Sequence, residues 1–395
     1  MNRSWKLGIL IGAVILALST VTPALGRANA PQPNLDLKID ARAAILLEPS
    51  TGEMVFTKNP DQQLPPASVT KLMVMLLVLE AVDRGDVQWT DIVTASPEAC
   101  KMGGSQIWLE PGEQMTVAEL LKAVCIVSAN DASYALGEHL AGSEENFIAL
   151  MNKRAKELGL KNTNFVNTTG LDPDGGGTGN LTSARDMALL AREVIQYPAV
   201  FRWSGVWIDS LRNGKSFLRN TNKLVRFYRG CDGLKTGFTA KAGFCLVATA
   251  KRDGVRLIAV VMNSPTSDTR AKDVSKLFNY GFTRFKAVQV YRGGEVVGQV
   301  KVFRGKELQV AAVVPRELAA VLHREAKGDI MKTVQLNRVA DAPVHQGQKI
   351  GQVLLTIDGK SCGQVDLVAA AEVKRATFFE IWWQIFRRVI RVGIA

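Results

Sequence analysis

The tightest constraint on this chain is a run of eight apolar residues, Leu72-Met73-Val74-Met75-Leu76-Leu77-Val78-Leu79, placed directly after Pro65-Pro66-Ala67-Ser68-Val69-Thr70-Lys71. Paired prolines stop any regular element, and the run behind them predicts a buried helix. Ser68 then falls in the first helical turn, where unpaired backbone N–H groups and the positive end of the dipole gather. Lys71, three residues on, projects from the same face. An ammonium on an apolar helix is costly to bury, so its pKa should fall and the amine become a base beside a hydroxyl. The alternative for the same residues is an N-cap serine and a lysine that snorkels to water.

The chain has 395 residues, 47% hydrophobic and 22% charged, which predicts two globular units with appendages. The formal charge of +12 concentrates at the ends. Arg3, Lys6 and Arg27 give +3 within residues 1–30, and residues 371–395 give another +3. The +6 over residues 31–370 is mild and forms no basic stripe, which argues against nucleic-acid binding. Cysteine usage (Cys100, Cys125, Cys231, Cys245, Cys362) is odd in count and lacks any CxxC pair, so zinc and a disulfide scaffold are poorly supported. Cys231 and Cys245 could face each other across a hairpin or stay as free buried thiols. With three histidines and no HExxH, serine chemistry here has to find a base other than histidine.

Residues 1–30 read as a secretory signal: basic Arg3 and Lys6, apolar Leu7 to Leu18, and an A-x-A cleavage site at Ala28-Asn29-Ala30. An uncleaved anchor helix is the alternative. Residues 41–48 and 54–56, joined by Pro49-Ser50-Thr51-Gly52-Glu53, predict a hairpin leading into the Ser68 helix. Thr116 to Gly142 is helical in pattern but interrupted by Val127-Ser128-Ala129-Asn130-Asp131, either a tight polar loop or the cap of a second helix. Phe147 to Leu158 is amphipathic, Gly170 to Gly177 predicts a flexible loop, and Ser183 with Asp186 is spaced as a capping box. From Leu234 the period becomes two, giving strands over 234–239, 242–250 and 255–262. Strands at both ends with helices between imply one sheet covered by helices. Beyond Phe282, short alternating segments predict a small all-β domain.

Residues 373–395 place Phe378, Phe379, Trp382, Trp383, Phe386 and Ile390 on one helical face and Arg387, Arg388 and Arg391 on the other. That pattern fits a helix lying in a membrane interface, with oligomerisation or core packing as the alternative.

Ser68-x-x-Lys71, Ser128-x-Asn130 and Lys235-Thr236-Gly237 occur in that order, once each. This set is the one carried by penicillin-binding proteins and class A β-lactamases. With Cys231-Asp232-Gly233-Leu234-Lys235-Thr236-Gly237-Phe238-Thr239 and Leu277 to Phe282, the chain resembles D-alanyl-D-alanine carboxypeptidases of the low-molecular-mass penicillin-binding protein 5 type, peptidase family S11. The resemblance runs from about residue 35 to the end.

Behind the signal segment read above (1–30), that resemblance implies a transpeptidase-like α/β catalytic domain (31–283), a β-rich domain (284–367) and an anchoring helix (368–395). It implies a penicillin-sensitive acyl-enzyme on Ser68, formed from peptidoglycan stem peptides ending in D-Ala-D-Ala. Lys71 is the base, Ser128 relays a proton, and Asn130 holds Lys71 and the substrate amide. Lys235 supplies positive charge, Thr236 of the Lys235-Thr236-Gly237 strand bonds the terminal carboxylate, and the N–H groups of Ser68 and Phe238 form the oxyanion hole. Arg270 is a further carboxylate partner or else a surface salt bridge. No cofactor or metal is implied, and the location is the outer face of the cytoplasmic membrane. Residues 162–167, where a class A β-lactamase carries its deacylating glutamate, hold no acidic residue, so penicillin should stay attached. An endopeptidase using the same residues and a catalytically silent envelope-binding scaffold are the rival readings.

Overall fold

The structure, a computed structural model, describes residues 37–173 and 177–383. The proposed signal segment and the last part of the proposed anchor, residues 384–395, lie outside the described residues.

A hairpin of β1 (Ala43–Glu48) and β2 (Glu53–Lys58) opens the fold. A short 3-10 turn, Ala67–Thr70, leads into α1 (Lys71–Arg84), whose apolar run is buried on nearly every side. β3 (Ile92–Thr94), α2 (Pro97–Cys100) and β4 (Gln114–Thr116) make a small outer unit. Next come α3 (Val117–Ile126), α4 (Asn130–Ala141), α5 (Glu144–Glu157) and α6 (Ala184–Val194). Thr116 and Glu119 form a reciprocal capping box at α3. At α6 only half of the predicted box is made. Ser183 accepts from the Asp186 N–H, but the Asp186 carboxylate turns to the Asn162 N–H and the Thr163 hydroxyl. α7 (Phe201–Ser204), the hairpin β5 (Ile208–Leu211) and β6 (Ser216–Arg219), and α8 (Leu224–Phe227) precede the long strands.

Those strands are β7 (Cys231–Thr239), β8 (Gly243–Arg252) and β9 (Val255–Ser264), followed by α9 (Ser267–Arg284). The sheet runs β2-β1-β9-β8-β7, antiparallel throughout. Its two-residue period divides two cores. Ile45, Leu47, Val247, Val260 and Met262 face the layer of α1, α3, α4 and α6; Leu46, Leu246, Leu257 and Val261 face α9. Cys245 lies in the first core and Cys231 in the second, so the two thiols are on opposite faces of the sheet and both are free. The pairing across the hairpin does not form. The five cysteines are free.

β10 (Phe285–Tyr291) follows α9 without a linker and pairs with β13 (Leu318–His323). Between them lie β11 (Val296–Phe303) and β12 (Gln309–Val313). β14 (Met331–Leu336), β15 (Val339–Asp341), β16 (Lys349–Ile357) and β17 (Lys360–Ala369) complete a second sheet, ordered β14-β16-β17-β12-β11-β15. Phe285 and Val321 join the α9-side core, and His323 meets Glu53 of β2 at 2.9 Å, so the β domain is fastened to the catalytic domain. The chain then enters a helix over 378–383, capped by Thr377 and Glu380, that exposes Phe378 and Phe379.

Candidate active site

Ser68 does not open the α-helix itself. It sits in the 3-10 turn ahead of α1, half-buried, while Lys71 is the first residue of α1 and fully buried. The Lys71 Nζ lies 2.9 Å from the Ser68 Oγ and donates to the Thr169 carbonyl oxygen, also at 2.9 Å. The snorkelling alternative is therefore excluded. Burial drives the Lys71 pKa well below its ordinary value; the nearby Lys235 adds to the fall, and Asp131 opposes it. The bond expected between Asn130 and Lys71 is not made, since the lysine has taken a backbone carbonyl and the Asn130 Oδ1 is buried without a partner.

α3 and α4 are joined by Val127-Ser128-Ala129, with Ser128 nearly buried and held at φ +66°. A serine in left-handed backbone is uncommon and concentrates at functional turns. Asn130 opens α4: its backbone N–H donates to the Ser105 carbonyl at 2.7 Å and its Nδ2 to the Gly103 carbonyl at 2.6 Å. The buried Asp131 carboxylate accepts the N–H groups of Ile107 and Leu109. Segment 103–109 is thus fastened to the Ser128-x-Asn130 turn.

The other wall is β7. Lys235 is buried, donates to the Thr236 carbonyl at 2.9 Å, and has its pKa pulled down to about 7 by burial. The Thr236 and Thr221 hydroxyls are 2.7 Å apart. A Cβ on Gly237 would lie 2.8 Å from the Pro66 oxygen and 3.0 Å from the Ser68 nitrogen, so glycine alone lets the strand lie against the serine turn. Phe238 is exposed and stacks on Phe244 at 4.2 Å. Arg270, on α9, is not in a surface salt bridge. It is buried, donates to the Cys245 carbonyl and the Ser267 hydroxyl, and keeps an unpartnered Nε. Cys245 pairs with Gly237 in the sheet, which sets Arg270 behind the end of β7.

Sequence reasoning passed over Thr169, because a carbonyl oxygen carries no residue signature. Thr168, Thr169 and Gly170 are buried, so the loop predicted over Gly170 to Gly177 begins packed against the core, while its residues 174–176 lie outside the described residues. The Asn167 Oδ1 accepts the Thr169 and Gly170 N–H groups, and the Asn180 Nδ2 ties this turn to the Thr70 hydroxyl. The Asn-rich stretch from Asn162 to Asn167 was the available hint, since Asn side chains build such turns. Among the described residues no group of His, Cys, Asp and Glu could hold a metal ion.

A sequence profile described as D-alanyl-D-alanine carboxypeptidase matches residues 27–266, and one described as the penicillin-binding protein 5 C-terminal domain matches residues 285–375. The chain belongs to the D-alanyl-D-alanine carboxypeptidase family. It is similar to the D-alanyl-D-alanine carboxypeptidase DacF of Bacillus subtilis, 39% identical over 94% of each chain. It is likewise similar to the DacC carboxypeptidase of Escherichia coli, 33% identical over 95% of this chain and 94% of that one. The solved structure of penicillin-binding protein 5 from Haemophilus influenzae superposes with a TM-score of 0.63 at 31% identity, covering 87% of this chain and all of the other. The expected transpeptidase-like domain with its all-β companion is therefore correct, and the chain is a serine-type D-Ala-D-Ala carboxypeptidase of the penicillin-binding kind.

Proposed function

We propose that Ser68 is the nucleophile and Lys71 its general base, releasing terminal D-alanine from peptidoglycan stem pentapeptides. The observation that carries this is the 2.9 Å approach of a fully buried lysine amine to the Ser68 Oγ. A neutral amine that spends an N–H on the Thr169 carbonyl keeps a lone pair for the serine proton. The Ser68 Oγ attacks the carbonyl of the penultimate D-alanine as Lys71 takes the proton. The tetrahedral oxyanion rests on the N–H groups of Ser68 and Phe238. Ser128 passes a proton to the departing amine, the C–N bond breaks, and water cleaves the ester to regenerate Ser68.

The substrate lies as an added strand beside β7. Its terminal carboxylate meets the Thr236 hydroxyl, the charge of Lys235 and the unpartnered Nε of Arg270; a substrate amide N–H satisfies the orphaned Oδ1 of Asn130. β-Lactams enter the same site and acylate Ser68. Carboxypeptidase action is favoured over endopeptidase action by the full-length similarity to proteins named carboxypeptidase, and the intact motifs speak against a silent scaffold.

The basic, apolar segment 1–30 supports export, and residues 373–395 support attachment to the outer face of the cytoplasmic membrane. Among the described residues no helix is long and apolar enough to cross a membrane, and the exposed Phe378 and Phe379 fit a helix lying at its surface. The test is D-alanine release from a stem pentapeptide by protein lacking residues 1–30, beside Ser68→Ala and a cross-linked dimer substrate. Release from the pentapeptide, lost in the variant, is expected; cleavage of the dimer alone would reassign the enzyme as an endopeptidase.

A further inference from the structure

Trp108 is 77% exposed, the most exposed tryptophan of the described residues, yet its backbone is held at φ +54°. A bulky residue in left-handed backbone is a genuine outlier, and such strain persists only where the surroundings over-determine it. Here they do. The N–H groups on either side, of Ile107 and Leu109, both donate to the buried Asp131 carboxylate. The Trp108 carbonyl accepts from the Arg212 Nη2 at 3.4 Å, and the Ile107 carbonyl from its Nη1 at 3.0 Å. Arg212 is fixed in turn by Glu113 at 2.7 Å. The side chains before and after Trp108 are buried while its own is turned out.

The same fastenings tie its backbone to one wall of the site. Ser105, three residues earlier, is bonded to the Asn130 N–H at 2.7 Å, which keeps the Trp108 backbone within about 10 Å of Ser105, itself fastened to that turn. Arg212 also bonds Ser216 of β6, the strand leading to Thr221 on the opposite wall. A substrate strand attacked at the penultimate D-alanine presents the residue before D-Ala-D-Ala one position, about 4 Å, upstream of the reaction centre. A long side chain from that residue covers the remaining distance. The indole face favours an aliphatic stem ending in a cation, and exposed Glu110 stands two residues beyond.

We infer that Trp108 is a specificity-determining residue, receiving a long, amine-terminated side chain on the residue that precedes D-Ala-D-Ala. This rests on the carboxypeptidase reading above. The experiment measures D-alanine release by unmodified protein, Trp108→Ala and Trp108→Phe, using acetyl-Lys-D-Ala-D-Ala and acetyl-Ala-D-Ala-D-Ala. Trp108→Ala is expected to lower kcat/KM about tenfold on the lysine donor, through KM, and to stay within about twofold on the alanine donor. Trp108→Phe should retain most of the preference. Penicillin labelling of Ser68 at an unchanged rate shows that the site is still assembled; if Trp108→Ala fails that control, Trp108→Leu takes its place with the same expectation. An equal loss on both donors would make Trp108 structural and overturn the inference. Release from neither donor by the unmodified protein would instead remove the carboxypeptidase reading, and the inference with it.

Discussion

Gly170→Ala probes the least conspicuous part of the lysine's environment. Gly170 sits at φ +81°, and a Cβ there would lie 1.9 Å from the Ala67 carbonyl oxygen and 2.9 Å from the Thr70 Oγ1. Ordinary contact begins at 3.4 Å, so the 167–171 turn and the serine turn have to part by about 1.5 Å. Left-handed backbone costs alanine about 1–2 kcal/mol, and forced separation of packed atoms about 1–3 kcal/mol more. A loss of roughly 2–5 kcal/mol corresponds to a fall in Tm on the order of 5–15 °C. The larger effect is chemical. Thr169 moves with its neighbour, the 2.9 Å bond to Lys71 opens, and the amine loses the contact that aims its lone pair. Misplacing a catalytic group by about 1 Å costs on the order of a hundredfold in rate. The assay is the rate of Ser68 acylation by a fluorescent penicillin, followed beside D-alanine release and a thermal melt. A folded variant that acylates at the unmodified rate would refute the role assigned to the Thr169 carbonyl.

The pH dependence follows from two buried lysines. The mechanism proposed above needs Lys71 neutral and Lys235 charged, so kcat/KM of the free enzyme should rise as Lys71 deprotonates and fall as Lys235 loses its proton near pH 7, a bell. In Lys235→Arg the alkaline limb should move above about pH 9, because arginine stays charged; a limb still near 7 would show that another group sets it. His323 has its pKa raised by the Glu53 carboxylate. Its contribution is complete below the unfolded value and is lost as pH rises through the higher folded one. Glu53→Gln should therefore show a flatter Tm against pH between about pH 6 and 8, and an unchanged curve would mean the bridge contributes nothing.

Much of this architecture was legible because burial on both faces writes itself into composition. β7, β8 and β9 were placed to within three residues at each end, since long apolar strands bounded by Gly and Asp have few other readings. The three motifs located both walls of the site for the same local reason. What escaped was carried by backbone atoms or by distant partners. Nothing in the letters marks Thr169 as the acceptor for Lys71, or Arg212 as the clamp on Trp108. Asp186 had the spacing of a capping residue, but Asn162 and Thr163, far away in sequence, offered better donors. β13 was missed because Leu318-Ala319-Ala320-Val321-Leu322 does not alternate. Its Ala319 and Ala320 sit opposite Gln289 and Val288 of β10.

The position of β1 has a consequence for how such a chain is born. Ala43 pairs with Met262 and Leu47 with Ile258, so the earliest of the described strands lies inside the catalytic sheet, between β2 and β9, and waits for that sheet's last strand. Until residue 264 has emerged, β1 has only its hairpin partner, and an isolated two-stranded hairpin is marginal in water. Closing a sheet across so long a stretch of sequence is slow, because the loop entropy has to be met before the contact is made. A polypeptide built this way stays threadable through its own synthesis. That delay suits the export proposed above, in which the chain crosses a membrane before its catalytic sheet closes.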